Sequence, residues 1–248
     1  MHFQTPLVPA RLIRRYKRFL ADIVPEEGPN AGREVTAHCA NPGAMLGLAE
    51  PGVRIWVEPN DDPRKKLRYG WRLVDHENGH FTGVDTSVPN RALREALIAR
   101  RIPDLADYAE ILPEQRYAEK SRIDFLLRGP GRADFYLEIK AVTLSRTPGC
   151  AEFPDCVTTR GARHMDDLAD MVRAGHRAMV LFLVQRSDAE RVSLAGDLDP
   201  GYVARFDAAR QAGVEVLCLS TRMSPQAIVA GGPLPFDHPR RFPAVPDA

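Results

Sequence analysis

Two patterns of apolar positions divide the chain. Up to about residue 85, short apolar pieces alternate with turn residues and no long helical period develops. In residues 53–57, Val53, Ile55 and Val57 alternate with Arg54 and Trp56, as the two faces of a half-buried strand require. Similar pieces lie at 18–24, with Phe19, Leu20 and Ile23, at 34–37 behind the turn Gly28-Pro-Asn-Ala-Gly32, at 67–74 and at 80–84. Strands this short and this closely spaced predict a small barrel or sandwich. From Asn90 the period lengthens. Leu93, Ala96 and Leu97 share one face of a helix over 90–101, with Asn90 as its N-cap. Two apolar pieces, 123–127 and 135–142, then flank the turn Gly129-Pro130-Gly131. A helix over 159–174 follows, capped by Thr159 and stopped by Gly175. A strand at 178–184, a helix at 200–212, a strand at 214–219 and a last helical piece from Ser224-Pro225 complete the order. Helices alternating with strands in this way predict an α/β domain with a mixed sheet. The expected division is 1–85, 86–232 and a Pro-rich tail, 233–248, that frays.

Composition narrows the class. The chain has 248 residues, 44% hydrophobic and 27% charged, which excludes a disordered or fibrous protein. The longest apolar run covers only 178–184, far short of the ~20 residues that span a membrane. Residues 1–6, Met-His-Phe-Gln-Thr-Pro, lack the charged-then-apolar signal pattern, so the expectation is a cytoplasmic protein. The four cysteines form no C-x-x-C and read as scattered buried thiols rather than a disulfide or zinc framework. A net charge of +1 says nothing about a nucleic-acid partner; the distribution of charge is more informative. Of 34 Lys and Arg, only five are lysine (Lys17, Lys65, Lys66, Lys120 and Lys140), so each retained lysine invites a reason.

The acidic hairpin supplies the chemistry. Glu138 and Lys140 share one face of the strand at 135–142. A connection over 129–133 pairs residue 128 with 134, and the same register sets Asp124 opposite Glu138. Two carboxylates and an amine then converge. Paired carboxylates bind Mg²⁺ (or Mn²⁺) through oxygen; the metal neutralises a phosphate and activates water. Lys140 could orient or deprotonate that water, which Arg essentially cannot do. A salt-bridged surface pair would read the same from spacing alone.

Longer segments carry a resemblance. Leu12-Ile-Arg-Arg-Tyr-Lys-Arg-Phe-Leu-Ala-Asp22, Thr36-Ala-His-Cys-Ala-Asn-Pro-Gly-Ala-Met45, Ser121-Arg-Ile-Asp-Phe-Leu-Leu127, Glu138-Ile-Lys-Ala-Val-Thr-Leu144 and Phe153-Pro-Asp-Cys-Val-Thr-Thr-Arg-Gly-Ala-Arg-His164 stand in this order. Over about residues 3–232 the chain resembles the sugar fermentation stimulation protein A family, with Ala40, Pro42 and Ala44 as local departures. The resemblance implies an N-terminal OB-fold-like barrel, then a PD-(D/E)xK nuclease-like α/β domain with a mixed sheet. It implies Asp124 and Glu138 as the two acids, Lys140 as the lysine, and an acid from the preceding helix, for which Glu95 is the candidate. It also implies DNA binding and an association with the regulation of sugar (maltose) metabolism.

Two basic clusters suit a nucleic-acid partner, DNA first. One holds Arg14, Arg15, Lys17 and Arg18; the other holds Arg64, Lys65, Lys66 and Arg68 with Tyr69 and Trp71 interleaved. Cations track phosphates while rings stack on bases, and OB folds use such faces. The rings could equally be barrel core behind a solvated basic rim, and Phe19 reads as core. Arg160 and His164, four apart on the helix at 159–174, share a face and suit phosphate contact or proton transfer. The stretch from His38 to Met45 reads either as a loop packed on the second domain or as a ligand site. Asp155 reads first as a turn residue and second as an acid that supports the site from behind. Three functions remain: a DNA-binding protein with a Mg²⁺-dependent nuclease site, a non-enzymatic DNA-binding regulator, and an RNA-processing nuclease.

Overall fold

The computed structural model describes residues 1–118 and 121–238. Lys120 and residues 239–248 of the Pro-rich tail lie outside them. The first strands are β1 (Val8–Tyr16), β2 (Leu20–Pro25), β3 (Val35–Cys39), β4 (Arg54–Pro59) and β5 (Tyr69–Asp75). They run in the order β3-β2-β1-β4-β5, and β3 returns to pair in parallel with β5 through His38↔Gly70 and Cys39↔Trp71. That last pairing closes an OB-type barrel and leaves it without a long free edge. Leu12, Ile23, Ile55, Val57 and Trp71 fill it, joined by Met45 and Leu48 from the β3–β4 connection.

The aromatic residues are distributed differently from the expectation. Trp71 is wholly buried and its indole N–H donates to Leu73 O at 3.0 Å. Tyr69 is buried too, its hydroxyl accepting from Asn30 at 3.0 Å. Tyr69 and Trp71 alternate onto the inner face of β5 and join the barrel core, so neither ring is available to stack on a base. Phe19, read as core, is 47% exposed. It belongs to the β1–β2 turn, between the paired Tyr16 and Leu20, where no strand face turns it inward.

A short strand, β6 (Phe81–Gly83), leads to α1 (Val88–Ile98) and then β7 (Glu110–Arg116), β8 (Arg122–Arg128) and β9 (Phe135–Val142). β10 (Leu144–Thr147), β11 (Cys150–Phe153), α2 (Thr159–Arg173), β12 (Arg177–Val184), β13 (Arg191–Leu194), α3 (Pro200–Gln211), β14 (Glu215–Ser224) and β15 (Ala227–Pro233) follow. The main sheet has the order β15-β14-β12-β9-β8-β7. β9, β12 and β14 are parallel and the rest antiparallel, which makes the sheet mixed. β12 is central and apolar throughout its interior, as a strand covered on both faces must be. α1 covers one face through Leu93, Ala96 and Leu97; α2 and α3 cover the other through Met165, Leu168, Tyr202 and Phe206.

Several local expectations change. Asn90 lies inside α1, whose N-cap is Ser87. Thr158, not Thr159, caps α2 by accepting from Gly161 N. The piece after Ser224-Pro225 is a strand. Ser-Pro serves a turn as well as a helix start, and the β-branched Ile228 and Val229 pair with Met223 and Arg222. β7, unforeseen, carries Pro113, which an edge strand tolerates. The described part of the tail, 233–238, is packed rather than frayed: Phe236 stacks on Phe182 at 5.7 Å, and His238 bonds Asp207. Three cysteines are buried, but Cys156 is exposed. Among the described residues, no helix is long and apolar enough to cross a membrane.

The barrel and the α/β domain are strapped together. Gly83 N donates to Gln185 O at 2.9 Å, and Ser187 N to Phe81 O at 3.0 Å. His2 pairs with Ala227 on β15. Asn41 donates to Val84 O, and Asp155 accepts from Met45 N at 3.3 Å. The loop containing Asn41 and Met45 thus packs on the second domain.

Burial separates the two aromatic residues energetically. Urea denaturation should show Trp71→Ala losing about 3–5 kcal/mol through an unfilled core, with Phe19→Ala within about 0.5 kcal/mol of wild type. Equal losses would contradict this assignment of core and surface.

Candidate active site and nucleic-acid interface

The β8–β9 hairpin has the register that its turn dictates. Phe125↔Leu137, Leu126↔Tyr136 and Leu127↔Phe135 pair in turn. One step further, the Asp124 carboxylate accepts from Ile139 N at 2.7 Å. Asp124 and Glu138 both line a cleft of about 430 Å³ between the barrel and the sheet. Lys140, Arg160 and His164 line it as well, opposite Asn41, Pro42 and Gly43 of the barrel. The His38–Met45 stretch therefore contributes both a packing loop and a cleft wall, although His38 itself faces elsewhere, beside Lys65 and Lys66.

Glu138 is almost wholly enclosed, at 3% exposure. Its Oε1 accepts from Lys140 Nζ at 2.8 Å and from His164 Nδ1. Its Oε2 is buried with no hydrogen-bond partner. Burial pushes this carboxyl up, but the ammonium of Lys140 and the bond from His164 outweigh it and hold Glu138 below its ordinary value. Arg160 Nε donates to His164 Nε2 at 3.3 Å. Arginine can only donate, so the ring hydrogen sits on Nδ1 and faces Glu138. Asp124 behaves oppositely. Burial first, and then the like charge of Glu138, push its carboxyl up to about 6.

Asn90 completes the site, its Nδ2 donating to Asp124 Oδ1 at 2.8 Å. The residue expected in this role, Glu95, points away: it is half exposed and pairs with the Met1 amino group at 2.9 Å. At 100° per residue, positions 90 and 95 lie about 140° apart around a helix, so α1 cannot aim both at β8. Asn90 had a sequence signal, a polar residue at a helix start, but its capping value hid the other use. Gln185, also unforeseen, is buried at the cleft with its Oε1 unpartnered.

The basic clusters divide by what already binds them. Arg14 pairs with Asp22 and Arg64 with Asp62, at 2.9 and 2.8 Å. Arg68 donates to Asp62 O. Arg15 is committed to structure, with donors on Asn41 O at 2.7 Å, Gly43 O at 2.9 Å and Arg18 O at 3.1 Å. Lys17, Arg18, Lys65 and Lys66 are exposed, and none forms a salt bridge among the described residues. They occupy the β1–β2 and β4–β5 connections, the two loops through which OB folds take hold of oligonucleotides.

The raised Asp124 has a measurable consequence. Its folded value of about 6 exceeds its ordinary 3.8, so the folded state binds the proton more tightly. Ionised Asp124 then costs on the order of 3 kcal/mol at pH 7, a cost that disappears as pH falls below about 4. Asp124→Asn keeps both hydrogen bonds if Asn90 turns its amide oxygen inward. In metal-free buffer at pH 7.5 the variant should melt about 6–12 °C above wild type, with the gap closing at pH 4. A gap independent of pH would refute the assignment.

Comparison with known proteins gives consistent matches. Residues 87–227 match the family model described as the sugar fermentation stimulation protein RE domain, and residues 13–84 match the SfsA N-terminal OB domain. A sugar fermentation stimulation protein homolog of Ruegeria pomeroyi is 65% identical, over 92% of this chain and 97% of that one. A homolog from Roseobacter denitrificans is 63% identical, over 95% and 99%. A solved structure, Pyrococcus furiosus SfsA in complex with Ca²⁺, superposes with a TM-score of 0.84 at 28% identity, covering 96% of this chain and 98% of that one.

Proposed function

Because the chain belongs to the sugar fermentation stimulation protein family, we propose that it binds nucleic acid, DNA first, and hydrolyses phosphodiesters with a divalent metal at Asp124 and Glu138. The observation that carries this reading is the unpartnered Oε2 of Glu138, buried beside a second carboxylate whose proton affinity it raises. Lys140 meets only Oε1 of Glu138, and a divalent ion would satisfy Oε2 and offset the repulsion between the two carboxylates. Carboxylate oxygens are the donors that Mg²⁺, Mn²⁺ and Ca²⁺ prefer, and the Pyrococcus furiosus relative is described in complex with Ca²⁺. The residues present fit a hard cation of the Mg²⁺ kind. Among the described residues no cluster of three or more His, Cys, Asp or Glu surrounds a metal position. Asp124 and Glu138 would hold the ion, with water and substrate oxygens completing its shell, as is usual for Mg²⁺.

A bound divalent ion would supply charge neutralisation at phosphate and a more acidic water. The protein does the rest by placement. Lys140 Nζ spends one hydrogen on Glu138 and has two more with which to hold a water in the cleft. His164 fixes Glu138 from behind. Arg160 is exposed at the mouth; its Nε is committed to His164, leaving both Nη groups for a phosphate oxygen. The four unpaired cations of the barrel loops hold the strand outside the cleft through its phosphates, and such binding weakens as salt rises.

Cleavage of mixed single- and double-stranded DNA and RNA with Mg²⁺ or Mn²⁺ tests the proposal. Lys140→Ala should lose at least about 10²-fold in rate while nucleic-acid affinity stays within twofold, with circular dichroism confirming the fold. Glu138→Gln should behave alike. Unchanged cleavage in Lys140→Ala would overturn the site. Absence of cleavage by wild type, with salt-sensitive binding retained, would favour a non-enzymatic regulator.

A further inference from the structure

The β1–β2 turn is built against its own backbone preference. Lys17 and Arg18 have φ of 47° and 62°, two successive left-handed residues that are not glycine. L-residues with a Cβ avoid this region, and Asn and Gly enter it most cheaply. Retaining Lys-Arg here places two exposed cations at the tip, and Phe19 follows them with half its surface in water. A phenylalanine left half exposed directly after two unpaired cations gives the fold little that a smaller residue would not.

The tip is also fixed in position. Arg15 bonds Arg18 O on one side and Asn41 O and Gly43 O on the other, joining the turn to the barrel wall of the cleft. Phe19 O accepts from Cys39 N at 2.8 Å. Arg18 is close enough to bear electrostatically on Cys156, which lines the cleft. Of the four exposed large hydrophobics among the described residues, three belong to segments that meet here: Phe19 on the turn, Leu46 on the barrel loop and Val157 on the cleft rim. An apolar surface with the exposed cations Lys17 and Arg18 at its edge, and the Asp155 carboxylate turned onto Met45 N, suits a ligand with flat apolar faces on a polyanionic chain.

We infer that Phe19 stacks on an unpaired base of a nucleic-acid strand whose phosphates Lys17 and Arg18 hold, beside the mouth of the cleft. The inference rests on the reading of the protein as a nucleic-acid-binding protein and narrows its ligand class to strands that offer an unstacked base: single strands, overhangs or frayed ends. In an intact duplex every base is already stacked, and Phe19 has no free face to meet. The strained turn presents three adjacent side chains to one nucleotide step.

Fluorescence anisotropy with a labelled single-stranded 20-mer and a blunt duplex, without divalent metal, tests this on the full chain. Phe19→Ala should weaken single-strand binding about tenfold or more and leave duplex binding within twofold, while Phe19→Trp restores the single-strand affinity. The double variant Lys17→Asn, Arg18→Gly should raise the melting temperature by about 4 °C through relief of the turn, yet weaken single-strand binding and flatten its salt slope. That opposition of stability and affinity is not produced by a merely structural turn. Wild-type binding that Phe19→Ala leaves unchanged on both oligonucleotides would overturn the inference and leave the proposed function intact. A change in sedimentation of Phe19→Ala alongside that result would assign the patch to a protein contact instead. Failure of wild type to bind any oligonucleotide would overturn the proposed function and the inference with it.

Discussion

A carboxylate sealed inside a sheet is the constraint around which the second domain is arranged. Glu138 has almost no access to water, and a lone buried charge costs several kcal/mol unless it is paired. Its partners come from two elements: Lys140 two positions along β9, and His164 from α2. Satisfying Glu138 therefore fixes the rotation of α2 about its axis. That rotation carries Arg160 to the cleft mouth, one turn away from the histidine it contacts. Asp124 keeps its proton to a higher pH, first because it is itself buried and then because the charge of Glu138 lies beside it. Two buried acids thus take opposed proton affinities, according to which of them the cations reach.

Much of this was legible in the sequence because it depends on local periods. The Gly129-Pro130-Gly131 turn and the alternation of strand faces are enough to set Asp124 against Glu138, and a four-residue spacing is enough to put Arg160 beside His164. Failures arose where the same pattern has two solutions. A strand with Tyr69 and Trp71 on one face does not reveal which face is interior until β3 closes on β5. A polar residue near a helix start can be Asn90 the cap or Asn90 the clamp on Asp124, and the choice depends on a helix rotation that only packing decides. Phe19 is apolar and adjacent to a strand, and nothing local shows that the turn leaves it outside.

Charge was misread more subtly. Counting cations located both clusters on the barrel, but only the fold shows which of them are already neutralised. Arg14 and Arg64 have carboxylates at hydrogen-bond distance, and Arg15 has been consumed as a clamp between two loops. What remains is a smaller positive surface carried mostly by lysine in the two barrel loops. The scarcity of lysine thus has at least two physical meanings here: a compact ammonium that fits between a buried carboxylate and a cleft, and flexible cations that remain free where arginine would find an acid.

The chain begins on the edge of the large sheet, where His2 pairs with Ala227, leaves to form the whole barrel, and returns through β6 to bond Gln185 and Ser187. Topologically the barrel is an excursion out of the second domain, anchored at both its root and its end. A hinge needs one flexible connection; here two sets of backbone hydrogen bonds would have to shear together. The groove between the parts therefore works as a gauge of constant width rather than as a jaw. On the proposed function, a strand would be admitted or refused by its own thickness and pliancy, and selection would fall on the deformability of the ligand rather than on any closing movement of the protein.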